Sequence, residues 1–77
     1  MCKVIGHWYS DAMGFKRFFS KPLGDFESLE EGRRGLLKAE LPEKDVLPLA
    51  VQDEESEVVS YVGDPSIKIP PEHLERA

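Results

Sequence analysis

The sequence predicts a small α+β domain in which an antiparallel sheet of three to four short strands is packed by one main helix. Three observations lead to this fold class. An apolar and aromatic stretch opens the chain, a helical period follows from Asp25, and two stretches that alternate apolar and polar residues lie between Val46 and Val62. With 77 residues the chain has room for one hydrophobic core, so we expect 1–77 to form a single compact domain.

The first strand is predicted over about residues 2–9, where β-branched and aromatic residues favour an extended backbone. Residues 11–24 form a basic-aromatic segment, which we predict to be a loop, with a short helical turn as the alternative. Gly14 and Pro22 limit any longer regular element in this segment.

The main helix is predicted over about residues 25–40. Its apolar residues recur near one helical face, namely Phe26, Leu29, Leu36, Leu37 and Ala39. Asp25 is a candidate cap, and Ser28 with Glu31 has the S-x-x-E spacing of a capping box. Acidic residues crowd the start of this segment, as the helix dipole favours, and Pro42 ends it.

A hairpin is predicted over about residues 46–62, with a polar link between its arms. Pro48 cannot donate to a ladder of strand hydrogen bonds, so we expect the first arm to be an edge strand or to begin after it. Residues 63–77 are predicted to be a tail. Within it, residues 66–69 are a candidate short strand, and Pro71 is well placed to open a final helical turn.

Several classes of function are disfavoured by the composition. The single cysteine, Cys2, cannot form an internal disulfide, and one cysteine with two histidines is too few for a usual structural zinc site. No apolar run approaches the roughly 18 residues of a membrane span, so we expect a cytoplasmic protein without membrane contact. His7 and His73 belong to no recognised catalytic motif. We therefore predict no enzymatic activity, no metal and no cofactor, although the sequence leaves open whether the two histidines meet.

Charge is distributed unevenly along this chain of net charge −5. Residues 39–77 contain ten acids and three basic residues, and no basic residue lies between Lys44 and Lys68. Five acids in or near the predicted hairpin form a candidate binding set: Asp53, Glu54, Glu55, Glu57 and Asp64. Negative charge on a small rigid protein can imitate phosphates and dock on a cationic groove, although single surface acids more often serve solubility.

The first functional hypothesis is a non-enzymatic protein-binding module. It would be a small acidic inhibitor, antidote or adaptor that occludes a basic surface of a larger protein, such as a nucleic-acid-binding protein. The five acids would supply charge, and aromatic anchors would come from the exposed members of a second set: Trp8, Tyr9, Phe15 and Phe18. A homodimer or a small structural subunit is an alternative, because a domain this short buries little surface by itself.

The second hypothesis is a single-stranded nucleic-acid binder. Residues 15–21 interleave aromatic and basic side chains, which suits the stacking of bases and the pairing of phosphates. Residues 32–35 add two arginines in a G-x-x-G spacing. The candidate residues are Lys16, Arg17, Phe19, Lys21, Arg33 and Arg34. The net charge of −5 counts against this hypothesis, as do Glu30 and Glu31 beside the G-x-x-G segment.

Overall fold

The computed structural model of the chain describes residues 1–12 and 14–74. Its elements are, in chain order, β1 (Cys2–Ser10), β2 (Arg17–Phe26), α1 (Leu29–Lys38), β3 (Leu47–Asp53), β4 (Val59–Tyr61) and α2 (Pro71–Leu74). The four strands form one antiparallel sheet in the order β2-β1-β3-β4. The predicted fold class, a small antiparallel sheet with one main helix, is confirmed.

Both faces of the sheet are covered. On one face, α1 packs over a cluster of buried side chains: Val4, Trp8, Leu36, Val46 and Val51. On the other face, the C-terminal segment that includes α2 covers a second cluster, in which Leu49, Ala50 and Ile69 are buried. We call these the helix face and the tail face. Side chains from the interior strands β1 and β3 are therefore buried on both sides.

The largest difference from the sequence prediction is β2. The predicted loop over residues 11–24 is wrong for residues 17–24, which form most of a ten-residue strand, whereas Met13 in that loop lies outside the described residues. Pro22 is tolerated because β2 lies at the edge of the sheet and because the register shifts next to Ile5, the residue that pairs with Pro22. At a bulge in an edge strand, the missing N–H of proline removes no hydrogen bond between the strands.

Helix α1 begins later than predicted, because the first residues of the predicted segment continue β2. Asp25 pairs with Lys3 of β1 and is not a cap. Ser28 is the N-cap, and its hydroxyl accepts a hydrogen bond from the Glu31 backbone N–H at 3.3 Å, as the S-x-x-E spacing predicts. The backbone N–H of Ala39 bonds to the carbonyl of Leu36 as the helix ends.

The hairpin prediction is confirmed in β3 and β4, but the predicted edge position of Pro48 is wrong. β3 lies inside the sheet between β1 and β4, and Pro48 faces Trp8 where the register shifts. A proline is accommodated there because the bulge interrupts the regular ladder. Residues 66–69 form a turn and an irregular segment instead of the candidate strand, whereas Pro71 does open α2.

The remaining part of the predicted tail, residues 75–77, lies outside the described residues. Within residues 1–12 and 14–74, neither helix has the length and apolar character that a membrane crossing requires.

Candidate functional site

Two acidic segments meet at one end of the sheet. In the register of β1 with its neighbours, Lys3 pairs with Asp25 of β2, and Val4 pairs with Asp53 of β3. The backbone N–H of Glu54 also donates to the carbonyl of Lys3 at 2.8 Å. Since neighbouring strands are about 4.8 Å apart, the ends of β2 and β3 flank the start of β1 at a separation of about 10 Å.

We call this end of the molecule the acidic end. It carries eight carboxylates: Asp25, Glu27, Glu30, Glu31, Asp53, Glu54, Glu55 and Glu57. Two arginines of α1 lie beside them in pairs that are largely solvent-exposed. Arg33 is 3.8 Å from Glu30, and Arg34 is 3.0 Å from Glu31. Exposed pairs of this kind contribute little to stability.

The turn between β3 and β4 is held by its own hydrogen bonds. The carboxylate of Asp53 accepts from the backbone N–H groups of Glu55 at 3.0 Å and Ser56 at 3.4 Å. The backbone N–H of Asp53 donates to the carbonyl of Val58 at 2.9 Å. The hydrogen bonds to the Asp53 carboxylate, with that from the Glu55 N–H the largest influence, hold the pKa of Asp53 below its ordinary value. Asp53 therefore organises the turn, while Glu55 and Glu57 are exposed.

Two cavities lie at the acidic end, and the smaller of them joins the two segments. The larger, about 460 Å³, is an open depression lined by residues that include Asp25, Glu27 and Glu31. The smaller, about 140 Å³, lies over Lys3, and its lining includes both Asp25 and Glu54. The surface between β2 and β3 is thus lined by carboxylates from both segments.

The structure separates the residues that the first hypothesis combined. Four of its five acids lie at the acidic end, whereas Asp64 lies at the opposite end. There its carboxylate accepts from the backbone N–H of Ser66 at 2.9 Å and from the Ser66 hydroxyl at 2.7 Å. These bonds, the backbone one first, lower the pKa of Asp64, and the charge of Lys16 adds to the effect.

The candidate aromatic anchors are also divided. Trp8 is 0% exposed within the helix-face core, so its assignment to a partner-binding surface is wrong. Tyr9 and Phe18 are half-buried against the tail-face cluster. Phe15 is 60% exposed, but it lies in the loop between β1 and β2, at the end of the sheet opposite the acidic end.

The candidate nucleic-acid-binding residues do not form one surface. Lys16, Arg17, Phe19 and Lys21 lie in or next to the first half of β2. Arg17 lies 5.1 Å from the centre of the Phe19 ring and 3.8 Å from Glu43, and the Lys21 ammonium donates to the carbonyl of Glu40 at 2.8 Å. Arg33 and Arg34 are instead in α1, within the acidic end. The G-x-x-G segment is part of that helix and not a loop.

The two histidines meet at a serine on the tail face. His7 of β1 is 1% exposed and pairs with Ser20 of β2, and its Nδ1 lies 2.7 Å from the Ser20 hydroxyl oxygen. The same oxygen is 3.3 Å from Nδ1 of His73 in α2. On its other side, Nε2 of His7 is 2.9 Å from Oε1 of Gln52. Sequence reasoning left this meeting open, and it missed Ser20 and Gln52.

The direction of each hydrogen bond in this network follows from one carbonyl. The carbonyl of Leu74 can only accept, and Nε2 of Gln52 donates to it at 3.2 Å. Oε1 of Gln52 therefore accepts from His7 Nε2–H, which leaves Nδ1 of a neutral His7 to accept from the Ser20 hydroxyl. Ser20 in turn accepts from His73 Nδ1–H. The network thus begins and ends on adjacent residues of α2.

The order of these groups matches that of a nucleophilic site. The Ser20 hydroxyl stands in the place of the nucleophile, the His7 imidazole in that of its base, and the Gln52 amide in that of the group that orients the base. The Ser20 oxygen also accepts from His73, however, and it is half-buried against the docked C-terminal turn. In this state the network fastens α2 to the sheet. Within the described part of the chain, no three His, Cys, Asp or Glu side chains are grouped as a metal ion would require.

Sequence signals existed for only part of these sites. The acids at the start of the predicted helix were visible but were assigned to the helix dipole, because nothing local showed that the hairpin turn lies beside them. Ser20 and Gln52 lie on strands at positions that carry no motif.

Comparison of the chain with protein-family models, with curated proteins and with solved structures finds no match in any of the three.

Proposed function

We propose that this protein is a non-enzymatic binding module that docks its acidic end on a basic surface of a larger protein and occludes that surface. One observation carries the proposal: acids from two distant parts of the sequence lie side by side at one end of a small four-stranded sheet. Charge concentrated in this way raises the association rate with a cationic surface and selects against anionic partners.

The turn of the hairpin supports a docking role because it is organised before a partner arrives. Its backbone is held by the Asp53 carboxylate and by the hydrogen bond from the Glu57 N–H to the Asp53 carbonyl at 2.8 Å. Glu57 adopts a positive φ of 64°, which points to a defined turn conformation. A preformed turn loses less conformational entropy on binding than a flexible acidic loop would.

Apolar contact at this surface would come from residues other than the predicted anchors. Val58 follows the turn and is 55% exposed, and Met1 is exposed beside the larger cavity. Specific interfaces combine an apolar centre with a charged rim, and the acidic end offers both. Tyr9 is near the end of β1 and Phe15 is in the loop that follows, so both lie too far from the hairpin turn to share this surface.

A capture experiment with matched charge variants tests the proposal. The tag is placed at the C-terminus of the full chain because the acidic end includes the start of β1. The tagged chain is then incubated with a lysate of the source organism or its host. The test variant is Glu55→Lys/Glu57→Lys at the acidic end. The control variant is Glu40→Lys/Glu43→Lys near the opposite end. Both variants have the same net charge, which rises from −5 to −1.

We expect the wild-type chain and the control variant to capture one larger basic protein in stoichiometric amount, and the test variant to lose it. Capture should also disappear at about 1 M salt, where the Debye length falls to about 3 Å, and should survive nuclease. Equal capture by both variants would overturn the electrostatic mechanism.

The nucleic-acid hypothesis remains a prediction, and the nuclease arm of the same experiment tests it. Recovery that vanishes with nuclease would move the assignment to the residues near the start of β2. The variant Lys16→Glu/Arg17→Glu should then abolish retention of a mixed single-stranded oligonucleotide pool at low salt.

A further inference from the structure

A row of apolar side chains crosses the sheet at the end opposite the acidic end. Tyr9 of β1 pairs with Phe18 of β2 on one side and with Leu47 of β3 on the other. Directly paired positions of antiparallel strands place their side chains on the same face. Since Tyr9 and Phe18 pack against the tail-face cluster, Leu47 lies on the tail face as well. Phe15 lies in the loop that joins β1 to β2 at this end, and we call these four residues the apolar patch.

The apolar patch is open to solvent at two of its positions. Leu47 is 56% exposed and Phe15 is 60% exposed, while Tyr9 and Phe18 are half-buried. Two residues further along β3, Leu49 is 0% exposed beneath the tail-face cluster. Grouped apolar side chains on a surface mark interaction sites, whereas scattered single ones are ordinary. The patch is therefore a candidate interface, separate from the acidic end.

The charges around the apolar patch have both signs. Five exposed charged residues lie next to it, in the loop of Phe15, just before Leu47 and just after β4: Asp11, Lys16, Lys44, Asp45 and Asp64. Lys16 is close enough to Asp64 to lower the pKa of that carboxylate, although the hydrogen bonds from Ser66 have the larger effect. At the same end, Arg17 lies 3.8 Å from Glu43. Cations and acids thus alternate around the patch, whereas carboxylates predominate at the acidic end.

A second copy of the chain fits a surface of this kind. In a two-fold symmetric dimer the same patch lies on both sides of the interface, so the patch must be complementary to itself. Mixed charges meet this condition because the cations of one copy can face the acids of the other. A strongly basic or strongly acidic partner would instead call for a patch of one sign. The acidic end could not pair with itself, because its carboxylates would face carboxylates.

The edges of the sheet are unsuited to pairing between copies. At one edge, β4 has three residues. At the other edge, the second half of β2 contains Pro22, Gly24 with a positive φ of 106° and the exposed Asp25. Proline, an irregular backbone and charge all prevent an edge strand from pairing with another chain. Contact between copies is thus favoured through side chains of the apolar patch, and not through strand hydrogen bonds.

We propose that two copies of this chain associate through their apolar patches into a two-fold symmetric dimer, with Phe15 and Leu47 of each copy at the centre of the interface. Such a dimer adds buried apolar surface to a domain that is too short to bury much by itself. Its two acidic ends lie away from the interface, so a partner with two basic surfaces could be bound with avidity. The dimer itself does not depend on what the acidic end binds.

Sedimentation velocity of the untagged full chain tests the proposal over a concentration range of about 1 μM to about 1 mM. We expect a reversible increase to twice the mass of one chain and no larger species, because a two-fold interface closes on itself. The test variant is Phe15→Ser/Leu47→Thr, which changes two exposed side chains, and circular dichroism checks that it is folded. Its dissociation constant should rise at least about tenfold, since each substitution acts twice in a symmetric interface.

The control variant is Val58→Thr, which changes an apolar side chain that is 55% exposed at the acidic end. We expect its dissociation constant to equal that of the wild-type chain. A wild-type chain that stays monomeric over the whole range, growth beyond a dimer, or equal weakening by the test and control variants would each overturn the proposal.

Isotope-filtered nuclear magnetic resonance locates the interface without any substitution. In an equimolar mixture of ¹³C-labelled and unlabelled chains, Phe15 and Leu47 of one copy should show nuclear Overhauser contacts with the apolar patch of the other. Intermolecular contacts confined to another surface would contradict the proposed interface. Capture by the acidic end is measured separately with its own charge variants, so failure of either proposal leaves the other standing.

Discussion

Gly32 of α1 lies directly against Val4 of β1. A Cβ atom built on Gly32 would be 2.9 and 3.0 Å from the two γ-carbons of Val4, a side chain that is 1% exposed. Gly35, one turn further along, has the same relation to the ring of Phe26. The two glycines of the G-x-x-G segment therefore allow the helix to approach the sheet closely, which gives them a packing role.

The first prediction concerns this contact. Gly32→Ala should lower the free energy of unfolding by about 1–3 kcal/mol, because the buried Val4 cannot move away and the helix must shift. This loss should outweigh the roughly 1 kcal/mol by which alanine favours a helix over glycine. Chemical denaturation measures the change. Leu37→Ala, at an exposed position of the same helix, is the control and should change stability by no more than about 0.5 kcal/mol.

The second prediction concerns the contacts of Ser20 with the two histidines on the tail face. Ser20→Ala should destabilise the protein by about 1–3 kcal/mol at pH 7.5, because the buried His7 Nδ1 loses its hydrogen-bond donor. Ser60→Ala on β4 is the matched control, since the described residues give its half-buried hydroxyl no such contact. Equal effects of the two substitutions in urea denaturation would contradict a special role for Ser20.

The third prediction concerns acid stability. The folded state holds the pKa of Asp53 below its ordinary value of 3.8, mainly through the Glu55 backbone N–H, so the unfolded chain takes up the proton first. The stabilisation from Asp53 is fully present above that ordinary value and is lost as the pH falls through the lower folded value. Unfolding curves recorded between pH 5 and 2 should show a smaller fall in stability for Asp53→Asn than for the wild-type chain.

A control for the acid experiment is Glu55→Gln, which removes an exposed charge from the same turn but leaves the hydrogen bonds to Asp53 in place. We expect this variant to retain the acid-dependent loss. If Asp53→Asn and Glu55→Gln flatten the pH dependence equally, general charge repulsion, and not the bonds to Asp53, governs acid stability.

The fourth prediction concerns Cys2. Partial burial raises the pKa of its thiol, and the hydrogen bond to Asp53 and the charge of that carboxylate raise it further. Because the thiolate is the reactive form, iodoacetamide should alkylate native Cys2 at pH 8 more slowly than the unfolded chain. Asp53→Asn should accelerate the native reaction several-fold and leave the rate in denaturant unchanged. An unaltered native rate would show that Asp53 does not influence the thiol.

Local sequence patterns determined the class of fold and most of the elements. The apolar opening stretch predicts β1, and Pro71 predicts the start of α2. The helix was predicted from about residue 25, and its capping-box spacing at Ser28 is confirmed although it begins later. These features could be recognised because capping, strand preference and proline geometry act over a few residues. The same patterns also placed the acids of the hairpin turn.

Tertiary structure decided which of these residues meet. β2 could not be recognised because Pro22 disfavours a strand everywhere except at an edge or bulge, and edge position is a property of the assembled sheet. Trp8 is buried because α1 crosses its face of β1, which no local pattern reveals. The acidic end and the contacts of Ser20 with both histidines likewise depend on strand order and register. Strand order and register are set by the burial of apolar side chains across the whole domain. Local sequence patterns therefore identify the side chains of these sites, and only the assembled sheet brings those side chains together.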